Sequence, residues 1–308
     1  MDIYVTGSNS KMLSKDVLTE FRGRGDEVKV YPLSFREFYS AKGGSKEDSL
    51  KEYMLYGGMP FILSRPSAES KISYLKNLFE ETYLKDIVER NRIRDQELLG
   101  SLIDEICSAT GSLTNSTKLA NTINSRFQNR KDNKVNNNTV ASYLSHLEDA
   151  FLFKEAKRYD IRGKQYFNSN SKFYCVDVGL RNVRLNMRQN EETHIMENIV
   201  FNDLVQRGYS VDVGVLESFS KGANGKTVRS TREIDFVVNY GNAQCYIQSA
   251  FRMDIPEKER AELLPFNIVG NSFKKIVITR NGLSPWYDDN GIYHIGLCDF
   301  LLKESILE

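Results

Sequence analysis

Three side chains in the last third of the sequence could do chemistry together. Glu197 lies on a predicted helix, Asp235 at the start of a predicted strand, and Gln248 near the end of the next strand. A helix, a strand start and the neighbouring strand end can converge at one edge of a sheet. Oxygen ligands in such a place hold Mg²⁺ or Mn²⁺, and a bound divalent ion promotes phosphodiester hydrolysis. The sequence therefore predicts a divalent-metal site at Glu197 and Asp235, with Gln248 as a third catalytic candidate.

This group departs in two places from what the chemistry needs. Gln248 offers a neutral amide where a third carboxylate is expected, and Ala250 stands where a lysine would hold or activate the attacking water. The nearest basic substitutes are Arg232 and Arg252, and arginine stays protonated, so neither is a plausible general base. Two interpretations are open, an active nuclease and an inherited scaffold without activity. On the residues alone we favour the scaffold.

A second group of residues could bind nucleic acid. Between Lys154 and Arg188 nine basic residues stand against three acidic ones, although the whole chain has a net charge of +1. A local excess in a neutral chain favours a localised anionic partner. The candidates for contacts with phosphates and base edges lie around the start of one predicted helix and at the tip of one predicted hairpin: Arg126, Arg130, Lys131, Asn137, Arg162 and Lys164. The alternative is an ordinary solvated surface.

The elements that must position these residues fall into four predicted domains. They are part of an α/β sheet, a helical linker, a module of three helices and a β-hairpin, and a mixed β-sheet flanked by helices, over residues 1–38, 39–95, 96–188 and 189–308. The predicted fold class is thus a multidomain combination of α/β and α+β. Three helices followed by a hairpin with a basic tip are typical of a winged helix, and a generic three-helix bundle with a hairpin is the alternative.

Composition favours a folded protein and argues against a membrane span, a disulfide framework and a thiolate zinc site. The 308 residues are 40% hydrophobic and 27% charged, which is the balance of a folded chain with ordinary cores. No apolar run approaches the length of a membrane span, and the start lacks the pattern of a signal peptide, so we expect a cytoplasmic protein without membrane contact. The four cysteines are far apart and form no CxxC pair, so neither a disulfide framework nor a thiolate zinc site is indicated.

Several short runs resemble a known family. They are residues 2–10 (DIYVTGSNS), 22–24 (RGR), 30–38 (VYPLSFREF), 56–60 (YGGMP), 233–236 (EIDF) and 246–248 (YIQ). In combination they are similar to the signatures of a bacterial and archaeal family of AAA-type P-loop ATPases. Members of that family carry a C-terminal domain of unknown function with a restriction-endonuclease-like fold. The predicted order of helix, three strands, helix and strand in the last third agrees with that fold.

The resemblance implies nucleotide-sensing roles near the N-terminus. In such ATPases a polar loop after the fourth strand senses the terminal phosphate, which here would be Ser8 and Asn9, and Arg24 would be a candidate arginine finger. The family's phosphate-binding loop and acidic magnesium strand have no counterpart in this sequence. A Gly-Lys-Thr run at residues 225–227 lacks the required earlier glycine and a following helix. The chain resembles a family member that lacks its N-terminal half. Two explanations are open: a truncated or split gene product, or a chain that a partner completes.

From the sequence we favour a non-catalytic, ATPase-derived protein that regulates or interacts with nucleic acid or protein. One alternative is a metal-dependent nuclease that uses Glu197 and Asp235 with Mg²⁺ or Mn²⁺. Another is a DNA-binding regulator that acts through the winged-helix-like module. DNA and protein partners both stay open, as does an oligomer, and ATP becomes a cofactor only if a partner supplies the phosphate-binding loop.

The first prediction concerns ATP. Because no phosphate-binding loop is encoded between residues 1 and 308, we expect the isolated protein neither to bind nor to hydrolyse ATP. Calorimetric titration with ATP and magnesium tests this directly. A dissociation constant in the micromolar range would contradict the prediction.

Overall fold

The first half of the described chain is helical. The structure is a computed structural model that describes residues 6–7, 28–126, 134–167, 170–188, 191–221, 227–281 and 284–306. The helices of this half are α1 (Phe35–Lys42), α2 (Lys46–Tyr56), α3 (Ala68–Asn77), α4 (Lys85–Asn91), α5 (Gln96–Ser108), α6 (Ser116–Arg126) and α7 (Asn137–Asp149). A 3-10 turn (Pro60–Ser64) and a π-helical segment (Leu78–Leu84) connect some of them. The predicted helical linker and the three helices that follow it are confirmed.

The second half adds strands and the remaining helices. The strands are β1 (Phe153–Ala156), β2 (Arg158–Asp160), β3 (Gln165–Tyr166), β4 (Lys172–Cys175), β5 (Ser210–Lys221), β6 (Thr227–Tyr240), β7 (Ala243–Ala250), β8 (Lys274–Thr279), β9 (Trp286–Tyr287) and β10 (Tyr293–Gly296). The helices are α8 (Val178–Arg184), α9 (Glu192–Gln206), α10 (Pro256–Val269) and α11 (Leu297–Leu302). Helices followed by a many-stranded mixed sheet make this an α+β arrangement.

The strands form two sheets. β1 and β4 make a small antiparallel pair, and the other eight described strands form one sheet in the order β3-β2-β5-β6-β7-β8-β10-β9. In the large sheet β5, β6 and β7 are antiparallel neighbours, whereas β7, β8 and β10 run parallel. The predicted elements from α9 to β8 are confirmed. The short elements α8, β9, β10 and α11 were not predicted, because a few residues carry too little periodicity.

The predicted hairpin over residues 151–176 is divided between the two sheets. β1 and β4 pair with each other, but β2 pairs in parallel with β5 and extends the large sheet. The basic tip is held there as well, since Nη2 of Arg162 donates a hydrogen bond of 2.8 Å to the carbonyl of Ile268 on α10. The predicted antiparallel pairing is present in two pieces, β1 with β4 and β2 with β3, and the tip belongs to the large sheet. The open edge of β5 offers hydrogen-bonding groups that β2 satisfies, and the sheet crosses the boundary predicted at residue 188.

Apolar side chains cover both faces of the large sheet. One core extends from Phe35 on α1 to Ile306 near the end of the chain and includes Ile247 of β7. A second, smaller cluster contains Tyr246 and Ala250 of β7 together with side chains of α10. Because side chains alternate along a strand, β7 has one face toward α9 and one toward α10. Among the described helices, none is both long enough and apolar enough to span a membrane.

A buried carboxylate explains the glycine-rich corner at residues 57–60. Asp177 is 2% exposed and caps α8, with Oδ1 accepting a bond of 3.0 Å from the backbone N–H of Leu180. Its Oδ2 accepts a bond of 2.7 Å from the N–H of Gly58. A side chain on Gly57, whose φ is 73°, would overlap this carboxylate. The corner needs glycine because the carboxylate approaches the backbone so closely.

We predict that Asp177→Asn lowers the free energy of unfolding by about 1–3 kcal/mol, because an amide nitrogen then faces a backbone N–H and leaves it unsatisfied. Denaturant unfolding measures the change. Asp86→Asn is the control, since its ion pair of 2.7 Å with Arg90 lies at the surface and should be worth less than about 1 kcal/mol. A loss at Asp177 no larger than at Asp86 would refute the role assigned to the cap.

Candidate functional site

Lys172 of β4 lies at the centre of a buried group of charges. Its Nζ is 3.0 Å from Oε1 of Glu197, 2.6 Å from Oε1 of Glu233 and 3.6 Å from Oδ1 of Asp235. The lysine side chain is only 5% exposed. We call these four residues the Lys172 cluster. The structure thus brings Glu197 and Asp235 together around one ammonium group.

Contacts between β4 and α9 fix one side of the cluster. Lys172 and Tyr174 share a face of β4, and the Tyr174 hydroxyl donates a bond of 2.7 Å to the same Oε1 of Glu197 that faces the lysine. Asn198, next on α9, donates from Nδ2 to the carbonyl of Cys175 at 2.8 Å. Its Oδ1 accepts from the Cys175 N–H at 3.1 Å. These two hydrogen bonds fix the position of α9 along β4, so that Glu197 contacts Lys172.

The other two carboxylates of the cluster lie on β6, next to an irregularity in its pairing with β5. Between Ile234 and Val237 the pairing advances three residues on β6 for two on β5. Ile234 and Val237 both belong to the core on the α10 side, whereas Phe236 belongs to the core on the α9 side. A β-bulge of this kind resets the alternation of side chains. Glu233 and Asp235 are two residues apart, so they share the α9 side of β6 and both contact the ammonium. The bulge places Phe236 on that side as well.

Gln248 and Ser249 take opposite faces of β7. Nε2 of Gln248 donates a bond of 2.9 Å to Oε2 of Glu262 on α10, and Oε1 accepts a long bond of 3.4 Å from the N–H of Asp235. Gln248 is thus beside Asp235 but is not a partner of Lys172. The N–H of Ser249 donates to Oδ2 of Asp235 at 2.8 Å. The buried Ser249 hydroxyl has no hydrogen-bond partner among the residues that the structure describes.

Lys172 provides the ammonium group that Ala250 cannot. Ala250 is packed in the core on the α10 side. The expectation that Arg232 and Arg252 are the nearest substitutes is wrong, because the lysine comes from β4 in the other sheet and not from β6 or β7. Sequence spacing cannot reveal a contact between sheets. The available signal was a lysine in the apolar run of residues 171–176, where an unpaired charge would be costly.

The cluster carries an excess of negative charge. Three carboxylates against one ammonium leave a net charge of −2 when all four groups are ionised. Burial and the neighbouring Glu197 charge raise the pKa of Asp235 well above its usual range. Burial alone would lower the pKa of Lys172, but the three carboxylates outweigh it and raise that pKa above the ordinary value. The lysine therefore stays charged, and Asp235 favours a bound proton or a bound cation.

The fit of the cluster to a metal ion rests on charge and one orphaned atom. Within the described ranges, no group of three or more histidine, cysteine or acidic side chains has the geometry of a metal site. The excess charge nevertheless equals that of one divalent cation, and the buried Ser249 hydroxyl beside Asp235 lacks a partner. Glu197 and Asp235 are the residues that would hold such an ion. Its binding would require the Lys172 ammonium to move away from one of them.

The other candidates from the sequence are dispersed. Several of them lie outside the described residues: Ser8, Asn9, Arg24, Arg130, Lys131 and the loop at 222–226. Arg126 forms an ion pair of 2.6 Å with Glu105. Asn137 is exposed at the first turn of α7, and Lys164 is exposed beside Arg162 at the edge of the large sheet. The described nucleic-acid candidates therefore lie on three elements, α6, α7 and the turn between β2 and β3, and none of them is an ion-pair partner of Lys172 among the described residues.

Comparisons with known proteins define the family. A family model described as "AAA domain" matches residues 1–39, and one described as "Domain of unknown function (DUF8612)" matches residues 47–191. The chain is 36% identical to an uncharacterized protein of Haemophilus influenzae, over 98% of this chain and 71% of that protein. It is 27% identical to the uncharacterized protein MJ1544 of Methanocaldococcus jannaschii, over 100% of this chain and 67% of that protein. The chain belongs to the family of the Haemophilus protein.

One solved structure is similar at low level. The crystal structure of protein VC1899 from Vibrio cholerae is 13% identical and covers 90% of this chain and 61% of that one, with a TM-score of 0.26. A likeness of that size carries no argument about fold or function. The family matches show the AAA resemblance over residues 1–39, while Lys172 lies inside the domain of unknown function and Glu197 and Asp235 lie beyond it.

We predict that Asp235→Asn is at least as stable as the wild type near pH 8. Between the ordinary pKa of 3.8 and the raised pKa of folded Asp235, the folded protein binds more protons than the unfolded chain, so this group lowers stability as pH rises. The variant lacks that contribution, and its stability should depend less on pH.

Denaturant unfolding near pH 5 and near pH 8 measures both effects. Asp299→Asn, on the exposed part of α11, gives the baseline, since its carboxylate is 3.6 Å from Lys46 at the surface. If Asp235→Asn lost more than about 2 kcal/mol near pH 8, ionised Asp235 would be a stabilising partner of Lys172, and the charge excess would be the wrong description.

Proposed function

We propose that the C-terminal sheet of this ATPase-derived chain carries a divalent-metal-dependent site that cleaves phosphodiester bonds in nucleic acid. The observation that carries the proposal is the Lys172 ammonium, in contact with Glu197 on α9 and with Glu233 and Asp235 on β6, an inner strand of the mixed sheet. The order of elements, helix, three strands, helix and strand, supports it, because restriction-endonuclease-like nucleases have the same order.

Each residue of the cluster has a chemical task in this proposal. Glu197 and Asp235 would hold the divalent ion, which when bound would offset charge developing on the phosphate and favour deprotonation of the attacking water. Lys172 keeps its proton, so it would position the water or a phosphate oxygen by charge and hydrogen bonding and would not act as the base. Glu233 would accept the proton of the water, because it is the carboxylate most open to solvent.

Exposure decides the direction from which a phosphate can arrive. The side chain of Glu233 is 30% exposed, compared with 10% for Glu197 and 12% for Asp235. The backbone of Gly111 closes the side of Glu197, where an added Cβ would lie 3.2 Å from the carboxylate. The phosphate would therefore approach past Glu233. Movement of this side chain would open the cluster to substrate.

Lys172 changes the balance between the interpretations made from sequence. Ala250, in the place of an expected lysine, favoured a scaffold without activity, whereas Lys172 supplies an ammonium group in contact with Glu197 and Asp235. A non-catalytic role in regulation or binding is still the alternative. An activity assay with variants of the cluster distinguishes the two.

We predict that the protein cleaves single-stranded or duplex DNA or RNA when Mg²⁺ or Mn²⁺ is present and not when EDTA is added. Lys172→Met and Asp235→Ala should each reduce the rate by about 100-fold or more, since each removes a charged group from the site of reaction. Gel analysis of end-labelled strands provides the rates.

The matched control is Lys51→Met. Lys51 also has a carboxylate neighbour, Glu47 at 3.9 Å, but it is exposed on α2. This variant should cleave at the wild-type rate. Absence of cleavage of all these nucleic acids by folded wild-type protein, or unchanged cleavage by Asp235→Ala, would reject the proposal and favour the non-catalytic alternative.

A further inference from the structure

A cavity opens at the carboxyl end of β7, the strand that also contacts Asp235 of the Lys172 cluster. It has a volume of about 440 Å³ and lies outside the carboxyl ends of β7, β8 and β10, beside the start of α10. Crevices outside the carboxyl ends of parallel strands are common ligand sites in sheets of this kind. None of the four residues of the Lys172 cluster lines it. It is therefore a separate place for a ligand.

Trp286 presents an aromatic ring to this cavity. Its indole stacks on the imidazole of His294, with ring centroids 4.4 Å apart and planes 13° apart. Nε2 of His294 is 3.4 Å from Oδ2 of Asp288, and this contact holds the imidazole in position under the indole. Trp286 is nevertheless 49% exposed. One ring face is covered by His294, and the other is available for a planar ligand.

Charged side chains line the same cavity as Trp286. Arg252 lines the cavity with its guanidinium 5.7 Å from the ring centre of Phe251, and Asp254 and Glu259 also line it. None of these three charged residues forms an ion pair with another described residue. A cation suits a phosphate, and carboxylates accept hydrogen bonds from the amino groups of bases. Ring, cation and acceptors together match a nucleotide.

The cavity and the Lys172 cluster share the end of β7. Asp235 of the cluster lies beside Gln248, whose N-terminal neighbour Ile247 pairs with Phe236. Arg252 follows within a few residues of the same strand end. The cluster is on the α9 side and the cavity on the α10 side. A strand of nucleic acid that leaves the cavity past Arg252 would pass the end of β7, where the N–H of Ser249 contacts Asp235 of the cluster.

We propose that this cavity binds one nucleotide of a single-stranded nucleic acid, with its base stacked on Trp286 and its phosphate beside Arg252. The inference rests on the proposed function, because it names the substrate class of the proposed cleavage site. Stacking on an aromatic side chain requires an unstacked base, which a single strand offers and an intact duplex does not. A free nucleotide has the same chemistry, so the test must separate it from a strand.

The sequence provides a direct probe, because Trp286 is the only tryptophan in the chain. Its fluorescence is recorded while the full-length protein is titrated, in EDTA, with a short single-stranded DNA of mixed sequence. The same titration is repeated with the matching duplex and with guanosine monophosphate. We expect saturable quenching by the single strand, at concentrations at least about ten-fold lower than for the duplex or the mononucleotide.

Variants assign the binding to the ring. Binding of a fluorescently labelled single strand is followed by anisotropy, again in EDTA. Trp286→Ala should weaken it by about ten-fold or more, and Trp286→Phe should retain most of it, because a phenyl ring can still stack. Tyr287→Ala is the matched control, since Tyr287 is 60% exposed on the same short strand but does not line the cavity. It should bind like the wild type.

The outcomes separate this inference from the cleavage proposal. Equal affinity for duplex and single strand, equal affinity for the mononucleotide, or full binding by Trp286→Ala would overturn the inference whether or not the protein cleaves. Single-strand binding that depends on Trp286 supports it even if no cleavage is found, in which case only the cleavage proposal fails.

Discussion

One buried ammonium group connects the two sheets of this protein. Lys172 belongs to the small sheet, while its carboxylate partners lie on α9 and on β6 of the large sheet. Without the lysine, Glu197, Glu233 and Asp235 would face one another in a region of low dielectric, where like charges repel strongly. The two hydrogen bonds between Asn198 and Cys175 hold the lysine at the height of these carboxylates. The geometry of the candidate site therefore depends on how β4 packs against α9.

Glu197 and Asp235 could be predicted from the sequence, whereas Lys172 could not. The sequence predicted that Glu197 and Asp235 belong to one site, because the order of elements places the helix beside the start of the strand. Lys172 could not be found in that way, since its contacts join residues of different sheets. Glu233 and Asp235 share one face of β6 because they are two residues apart, but the contact of both with Lys172 depends on how the other sheet packs against them. Likewise, the edge of β5 decides where β2 pairs, and local propensity does not encode that choice.

The end of the large sheet offers two environments with different chemistry. On the α9 side the charges are buried, and carboxylates outnumber the single ammonium. On the α10 side a cavity exposes the ring of Trp286 among groups that suit a nucleotide. The first environment suits a reaction at phosphate and the second suits recognition of a base.

Calorimetric titration with Mn²⁺ tests the excess charge around Lys172 most directly. The account predicts one ion bound per chain near neutral pH, with release of about one proton, because the carboxyl group with the raised pKa ionises when the cation arrives. Buffers of different ionisation enthalpy report the proton. Binding should disappear in Asp235→Asn. Absence of Mn²⁺ binding by the wild type, or equal binding by that variant, would show that the cluster is an ion network of the fold and not a cation site.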